Sequence, residues 1–288
     1  MSNPSDSPVR KRALSFGGEI SSWPQKKKAH ALTVLEELDR RVAEWEAREL
    51  IVIAPRMTAD SMTVEFRLHV REHPPLDEWS LLFADAVHAL RSSLDALAWE
   101  IATLDGNRPA KPNQVYFPIG GQGFDAKMKA IGPGIDPEFI ERFRALQQPA
   151  FVLSGPGGEV DILTVLHQLD IDDKHRGALR AEAQLDSANI AARVYFDAGT
   201  EVKVEKIDGE VFLEHGSTVG RMLASKPARL EPTAPAPIRL GLSVRYEVDG
   251  EDYRVSLPTF VATASAAVEH AQRVMTEGES DGVQRDGR

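Results

Sequence analysis

The sequence predicts an α+β protein: an antiparallel helical core carrying an N-terminal hairpin, followed by a small antiparallel sheet and a C-terminal helix. Three observations carry that expectation. Apolar residues recur every three or four positions over residues 29–49 and 79–104, the spacing of one helix face. Between those stretches, residues 50–55 and 62–70 alternate or run apolar about a turn at 58–60, as a hairpin does. Beyond about residue 185 the period shortens to two, and helical spacing returns over residues 260–275.

Each element follows in order. Residues 1–28 hold Ser, Pro and Gly without an apolar period, and Arg10, Lys11, Arg12, Lys26, Lys27 and Lys28 outnumber Asp6 and Glu19, so a disordered basic arm is expected. The first helix, over 29–49, turns Leu32, Leu35, Leu38, Val42 and Trp45 to one side. His73-Pro74-Pro75 ends the hairpin, because proline supplies no ladder donor. A second helix over 79–104, capped by Asp77 or Ser80, aligns Phe83, Ala86, Val87, Leu90, Leu94, Leu97 and Ile101 within about 60° of one direction, and Asp105-Gly106 stops it. Residues 107–134, rich in Pro and Gly and including Phe117-Pro118-Ile119, are expected to wrap across the helices as a long loop. A short helix over 137–146, a Gly/Pro loop at 154–158 and a helix over 159–170 complete the core. Strands are expected at 191–196, 201–207, 211–214, 238–248 and 253–257, with Asp208-Gly209 and Asp249-Gly250 as hairpin turns, a proline-rich connection at 232–237 and a polar tail at 276–288. The chain thus divides into an arm (1–28), a helical domain with its hairpin (29–185), a β region with a closing helix (186–275) and a tail (276–288).

Composition narrows the function classes. The 288 residues are 42% hydrophobic and 27% charged, enough to bury a core. The absence of cysteine removes disulfides, thiolate metal sites and cysteine nucleophiles. A net charge of −10 argues against an overall basic footprint for nucleic acid and leaves room for a local one. No apolar run approaches about 18 residues, and no apolar core follows the basic residues of 1–12. A cytoplasmic protein without membrane association is expected.

Two clusters carry chemistry. On the second helix, His88, Arg91 and Asp95 stand at i, i+3 and i+7 and flank the apolar stripe. They form either a surface ion pair with a neighbouring histidine, or a polar seam against a partner helix. The second cluster, His167-Gln-Leu-Asp-Ile-Asp-Asp-Lys-His-Arg176, packs ionisable groups at a helix end. Lys174, His175 and Arg176 either neutralise the negative helix pole, or bind an anion such as phosphate with His175 as acid or base. His167, Asp170, Asp172 and Asp173 have ligand chemistry but not the spacing of a metal motif, so no metal or cofactor is expected. Ser154-Gly-Pro-Gly-Gly158 lacks the Lys-Ser/Thr of a phosphate loop and reads as a turn, and Gly120-Gly-Gln-Gly123 does not open a dinucleotide-binding unit.

The run from Asp85 to Asp95 containing Leu90-Arg91-Ser92-Ser93-Leu94-Asp95, then Phe117-Pro118-Ile119, then Leu166 to Arg176, resembles a family of uncharacterised bacterial and phage proteins over roughly residues 30–180. That family is in turn distantly similar to the HEPN superfamily, helical bundles that often dimerise and include metal-independent ribonucleases of toxin and phage-defence systems. The resemblance implies a HEPN-like core, a homodimer, RNA as partner, and an RNA-directed effector, ribonuclease-like or RNA-binding, in a toxin, stress or phage-conflict setting. The HEPN signature places a histidine four to six residues after the arginine, and here Ala96 stands where relatives carry it. The resemblance therefore leaves two outcomes: His88 or His175 replaces that histidine opposite Arg91, with Asp95 orienting and Lys174 and Arg176 holding the RNA backbone, or the surface binds without catalysis. A non-enzymatic dimeric interaction protein with a structural polar seam is the alternative. In either case the two helices are expected to bring their clusters together by antiparallel packing.

Overall fold

The computed structural model describes residues 20–106, 108–120, 123–132, 135–155, 158–172, 179–184, 193–206, 214–231, 235–248 and 250–277. Helix α1 (Trp23–Glu46) begins six residues before the expected start, so Lys26, Lys27 and Lys28 are helical and not part of an arm. Pro24, inside the first turn, explains the early start, since its fixed φ suits a helix and no amide is lost there. Strands β1 (Ile51–Met57) and β2 (Thr63–Val70) form the expected antiparallel hairpin, with Val64, Phe66 and Leu68 of β2 turned inward.

Helix α2 (Leu76–Ala102) is the axis of the molecule. Its start follows Pro75 without a side-chain cap, so neither Asp77 nor Ser80 caps it; Asp77 and Glu78 instead sit in the first turn, where negative charge meets the positive pole. The whole predicted stripe from Phe83 to Ile101 is buried. The region expected to be loop contains α3 (Phe124–Ile131), which buries Phe124, Met128 and Ile131 at spacings of four and three between two glycines of positive φ, Gly123 and Gly132. Helix α4 (Pro137–Ala145) follows the cap Asp136, whose carboxylate accepts from the Glu138 amide at 2.9 Å. Residues 159–161, expected to open a helix, instead form strand β4 (Gly158–Asp161), paired with β3 (Val152–Gly155). Helix α5 (Ile162–Asp172) therefore starts later, with the Asp161 carboxylate accepting from the Thr164 amide at 3.1 Å.

The remaining elements are β5 (Leu179–Gln184), β6 (Arg193–Tyr195), β7 (Val202–Lys206), β8 (Thr218–Ala224), β9 (Arg229–Glu231), β10 (Ala236–Pro237), β11 (Arg239–Val248), β12 (Glu251–Ser256) and helix α6 (Leu257–Glu277). The expected strand at 211–214 falls largely outside the described residues, as does the Asp208-Gly209 turn. Sheet order is β10-β1-β2-β8-β7 in one sheet and β12-β11-β5 in another, with antiparallel pairings. The N-terminal hairpin thus shares a sheet with strands of the C-terminal half.

The buried side chains form one apolar cluster that runs from α1 through the hairpin and α2 to α6. Helices α1 and α2 are antiparallel: Ser21, just ahead of α1, bonds the Glu100 carboxylate, and Trp45 at the other end meets Trp79 edge-on at 6.1 Å. Helix α6 joins α2 through a buried bond, Gln272 Nε2 to Ser93 Oγ at 3.1 Å. Among the described residues no helix is long and apolar enough to cross a membrane.

Candidate functional site

Burying the flank of α2 that carries Arg91 against α5 confronts a guanidinium with a low-dielectric interior, so each of its donors needs an acceptor. The structure supplies one acceptor to each of its three nitrogens. Arg91 is 3% exposed. Its Nε donates to His167 Nδ1 at 3.3 Å, Nη1 pairs with Asp95 Oδ1 one turn along α2, and Nη2 donates to the Phe117 carbonyl at 3.3 Å. Asp95 Oδ1 also accepts from the Phe117 amide at 2.8 Å. Arg91 and Asp95 together therefore grip both backbone groups of Phe117, as a neighbouring strand would.

The same logic extends along Phe117-Pro118-Ile119. A buried segment containing proline cannot complete a ladder, so side chains satisfy its carbonyls. Gln147 Nε2 donates to the Pro118 carbonyl at 3.0 Å, and Lys127 Nζ to the Ile119 carbonyl at 2.6 Å. The Phe117 ring meets Phe143 edge-on at 5.4 Å. These three residues form a strap held across α2 by α3 and α4.

Electrostatics follow from this crowding. Arginine donates only, so His167 Nδ1 must carry the lone pair and any ring proton sits on Nε2. Burial pushes the His167 pKa below 6.5; Arg91 and Lys127 add to the shift, while Asp95 and Asp170 oppose it. Burial, then Arg91, likewise pushes the Lys127 pKa below 10.5.

One turn from Arg91, on the solvent side, His88 Nδ1 meets Asp170 Oδ1 at 2.8 Å. The imidazole is 68% exposed and the carboxylate 19%. Asp170 holds the Nδ1 edge, which leaves Nε2 as the outward-facing nitrogen. A further turn along α2, Ser92 Oγ accepts from Lys27 Nζ of α1 at 2.6 Å.

Of the residues singled out by sequence, His88, Arg91 and Asp95 lie on one flank of α2, and they meet the second cluster through His167 and Asp170. Lys174, His175 and Arg176 lie outside the described residues, as does Asp173. The enclosure of Arg91 changes its role. With every nitrogen engaged by a protein acceptor and almost no exposed surface, it holds the strap and α5 and does not present a free guanidinium to a phosphate. Sequence reasoning missed Lys127, Gln147, Lys27 and Ser92. The first two bind backbone carbonyls from the short helix α3 and from the turn after α4, where no periodicity announces them; Ser92 could have been found from its position one turn after His88. Among the described residues no group of three or more His or carboxylate side chains converges as metal ligands.

No family model, curated protein or solved structure matches this chain.

Proposed function

We propose that this chain is an RNA-directed effector of ribonuclease-like chemistry, with His88 as the group that moves the proton. The observation that carries the reading is the His88–Asp170 dyad: a carboxylate fixes one ring nitrogen at 2.8 Å while the ring stands 68% exposed. A ring held at one nitrogen and exposed at its other edge is within reach of a substrate, as a proton carrier must be. In this reading His88 Nε2 takes the proton of a ribose 2′-hydroxyl, whose oxygen bonds the adjacent phosphorus as the bond to the 5′-oxygen breaks. Asp170 orients the ring and stabilises the imidazolium that forms. Arg91 and Asp95 are positioning residues, holding α5 and therefore Asp170 in place. Lys174, His175 and Arg176 follow α5 in the sequence and are the groups proposed to hold the RNA backbone and protonate the leaving oxygen.

The test is cleavage of labelled single-stranded RNA in EDTA. The wild type is expected to cut, and His88→Ala to lose about 10²–10⁴-fold in rate with an unchanged melting temperature. A wild type that neither cleaves nor binds RNA at low salt overturns the reading. A second reading, a non-enzymatic dimeric interaction protein whose polar seam is structural, is favoured by the enclosure of Arg91. It expects His88→Ala to be silent and Arg91 variants to act on stability and assembly alone.

A further inference from the structure

We infer that the end of the α1–α2 pair carrying Trp23, Trp99 and Tyr116 is a stacking platform for the bases of single-stranded RNA, feeding the strand towards His88. The inference rests on the RNA reading above and adds where and how the strand is held. The chain has four tryptophans, and the structure buries Trp45 and Trp79 while leaving Trp23 at 55% and Trp99 at 36% exposure.

Both exposed rings lie at the same end. Ser21, two residues before Trp23, bonds the carboxylate of Glu100, the neighbour of Trp99. Tyr116, 54% exposed, precedes Phe117, whose amide is held by Asp95 one turn before Trp99. Cations accompany the rings. Lys27 Nζ stands 5.8 Å from the centre of the Trp23 ring, and Lys26 beside it is exposed.

Exposed indoles next to ammonium groups suit nucleotides specifically: every base offers a π-face to stack, and each brings a phosphate for the neighbouring lysine. Duplex RNA keeps its bases stacked on one another and cannot use such rings, so the substrate class is single-stranded. On the exposed side of α2, Trp99 and His88 are about 16 Å apart along the helix axis. Between them stand Ser92, whose hydroxyl carries the Lys27 ammonium, and Asp95, whose carboxylate is 28% exposed and paired with Arg91.

The test is titration of the purified full chain with fluorescein-labelled ten-residue oligouridylate, read by anisotropy and by quenching of tryptophan fluorescence, with duplex RNA as comparison. The wild type is expected to bind the single strand with quenching and the duplex more weakly. Trp23→Ala and Trp99→Ala are each expected to weaken single-strand binding about ten-fold or more, while Trp23→Phe and Trp99→Phe retain most of it. The phenylalanine variants keep the core untouched and separate loss of stacking from loss of fold. Tight single-strand binding that is indifferent to both alanine variants overturns the platform and leaves the RNA reading intact. No single-strand binding by the wild type at low salt overturns both. Dissociation of a dimer by the alanine variants without a change in RNA affinity assigns the face to a second copy of the chain and overturns the platform.

Discussion

Replacing Arg91 by alanine removes the donor that three acceptors share, and the size of the effect follows from what each is left with. Asp95 loses its cation but keeps the Phe117 amide; the Phe117 carbonyl and His167 Nδ1 lose their partner entirely. Removing one member of a buried ion pair costs about 3–5 kcal/mol, and an orphaned buried acceptor about 1–3 kcal/mol. Two features reduce the sum: the Asp95 side chain is 28% exposed, so water screens part of its charge, and loss of the cation relieves His167. The net expectation is about 3 kcal/mol, a large fraction of the 5–15 kcal/mol typical of a folded chain. Urea denaturation followed by circular dichroism reads this as a fall in midpoint at constant slope. Arg91→Lys should recover little, because an ammonium cannot address three acceptors in a plane, and Arg91→Met combined with Asp95→Leu should recover little as well, because removing both charges leaves the amide and the carbonyl of buried Phe117 without partners. A loss below about 1 kcal/mol for Arg91→Ala would mean that the pair behaves like an exposed one, and the reasoning about the strap would fail.

Other outcomes can be checked on the same preparations. Because the folded-state pKa of His167 lies below 6.5, the folded chain binds fewer protons than the unfolded one as pH falls through 6.5; stability is full above that value and declines below it towards the folded pKa. Melting temperatures from pH 7.5 to 5 should therefore fall more steeply for wild type than for His167→Gln, and parallel curves would contradict the burial of His167 beside Arg91. Asp170→Asn retains an acceptor for His88 but not a charge, so RNA cleavage should drop while melting stays near that of the parent; equal activity would remove Asp170 from the proposed dyad. Deleting residues 1–19 should leave cooperative melting intact, whereas deletion to residue 28 should not, because Pro24 is buried and Ser21 and Lys28 hold Glu100 and Glu269. Equal melting of the two truncations would show the start of α1 to be dispensable.

Much of the fold was legible where a single face of one element reports its own environment. The α2 stripe, the β1–β2 hairpin and α6 all announce themselves by period, and the structure buries them accordingly. What escaped was long-range or short. Strand β8 pairs with both β2 and β7, yet Gly220 interrupts its pattern. That glycine is explained by partners in other strands: a Cβ there would sit 3.3 Å from the Glu205 carbonyl and against Phe66. No local alternation names such neighbours. Helix α3 hid between glycines, and β3–β4 hid because its Gly/Pro turn resembles the approach to a helix.

The candidate site divides the same way. His88, Arg91 and Asp95 were legible from helical spacing, which places them on one flank whatever the tertiary fold. Their partners were not. The bonds from Arg91, Lys127 and Gln147 end on backbone carbonyls of the strap, and backbone acceptors are the same at every residue, so the sequence carries no mark of which ones are taken. The spacing also could not tell an arginine facing solvent from one sealed beneath Phe117, and that difference moves the proposed chemistry from Arg91 to His88.

The most direct measurement is the rate of single-stranded RNA cleavage in EDTA by wild type, His88→Ala and Arg91→Lys, each with its melting curve. Cleavage by the wild type, near-complete loss in His88→Ala at unchanged melting temperature, and loss in Arg91→Lys only in step with its lower melting temperature are expected. Cleavage that survives in His88→Ala, or a wild type that neither cuts nor binds RNA, would contradict the assignment.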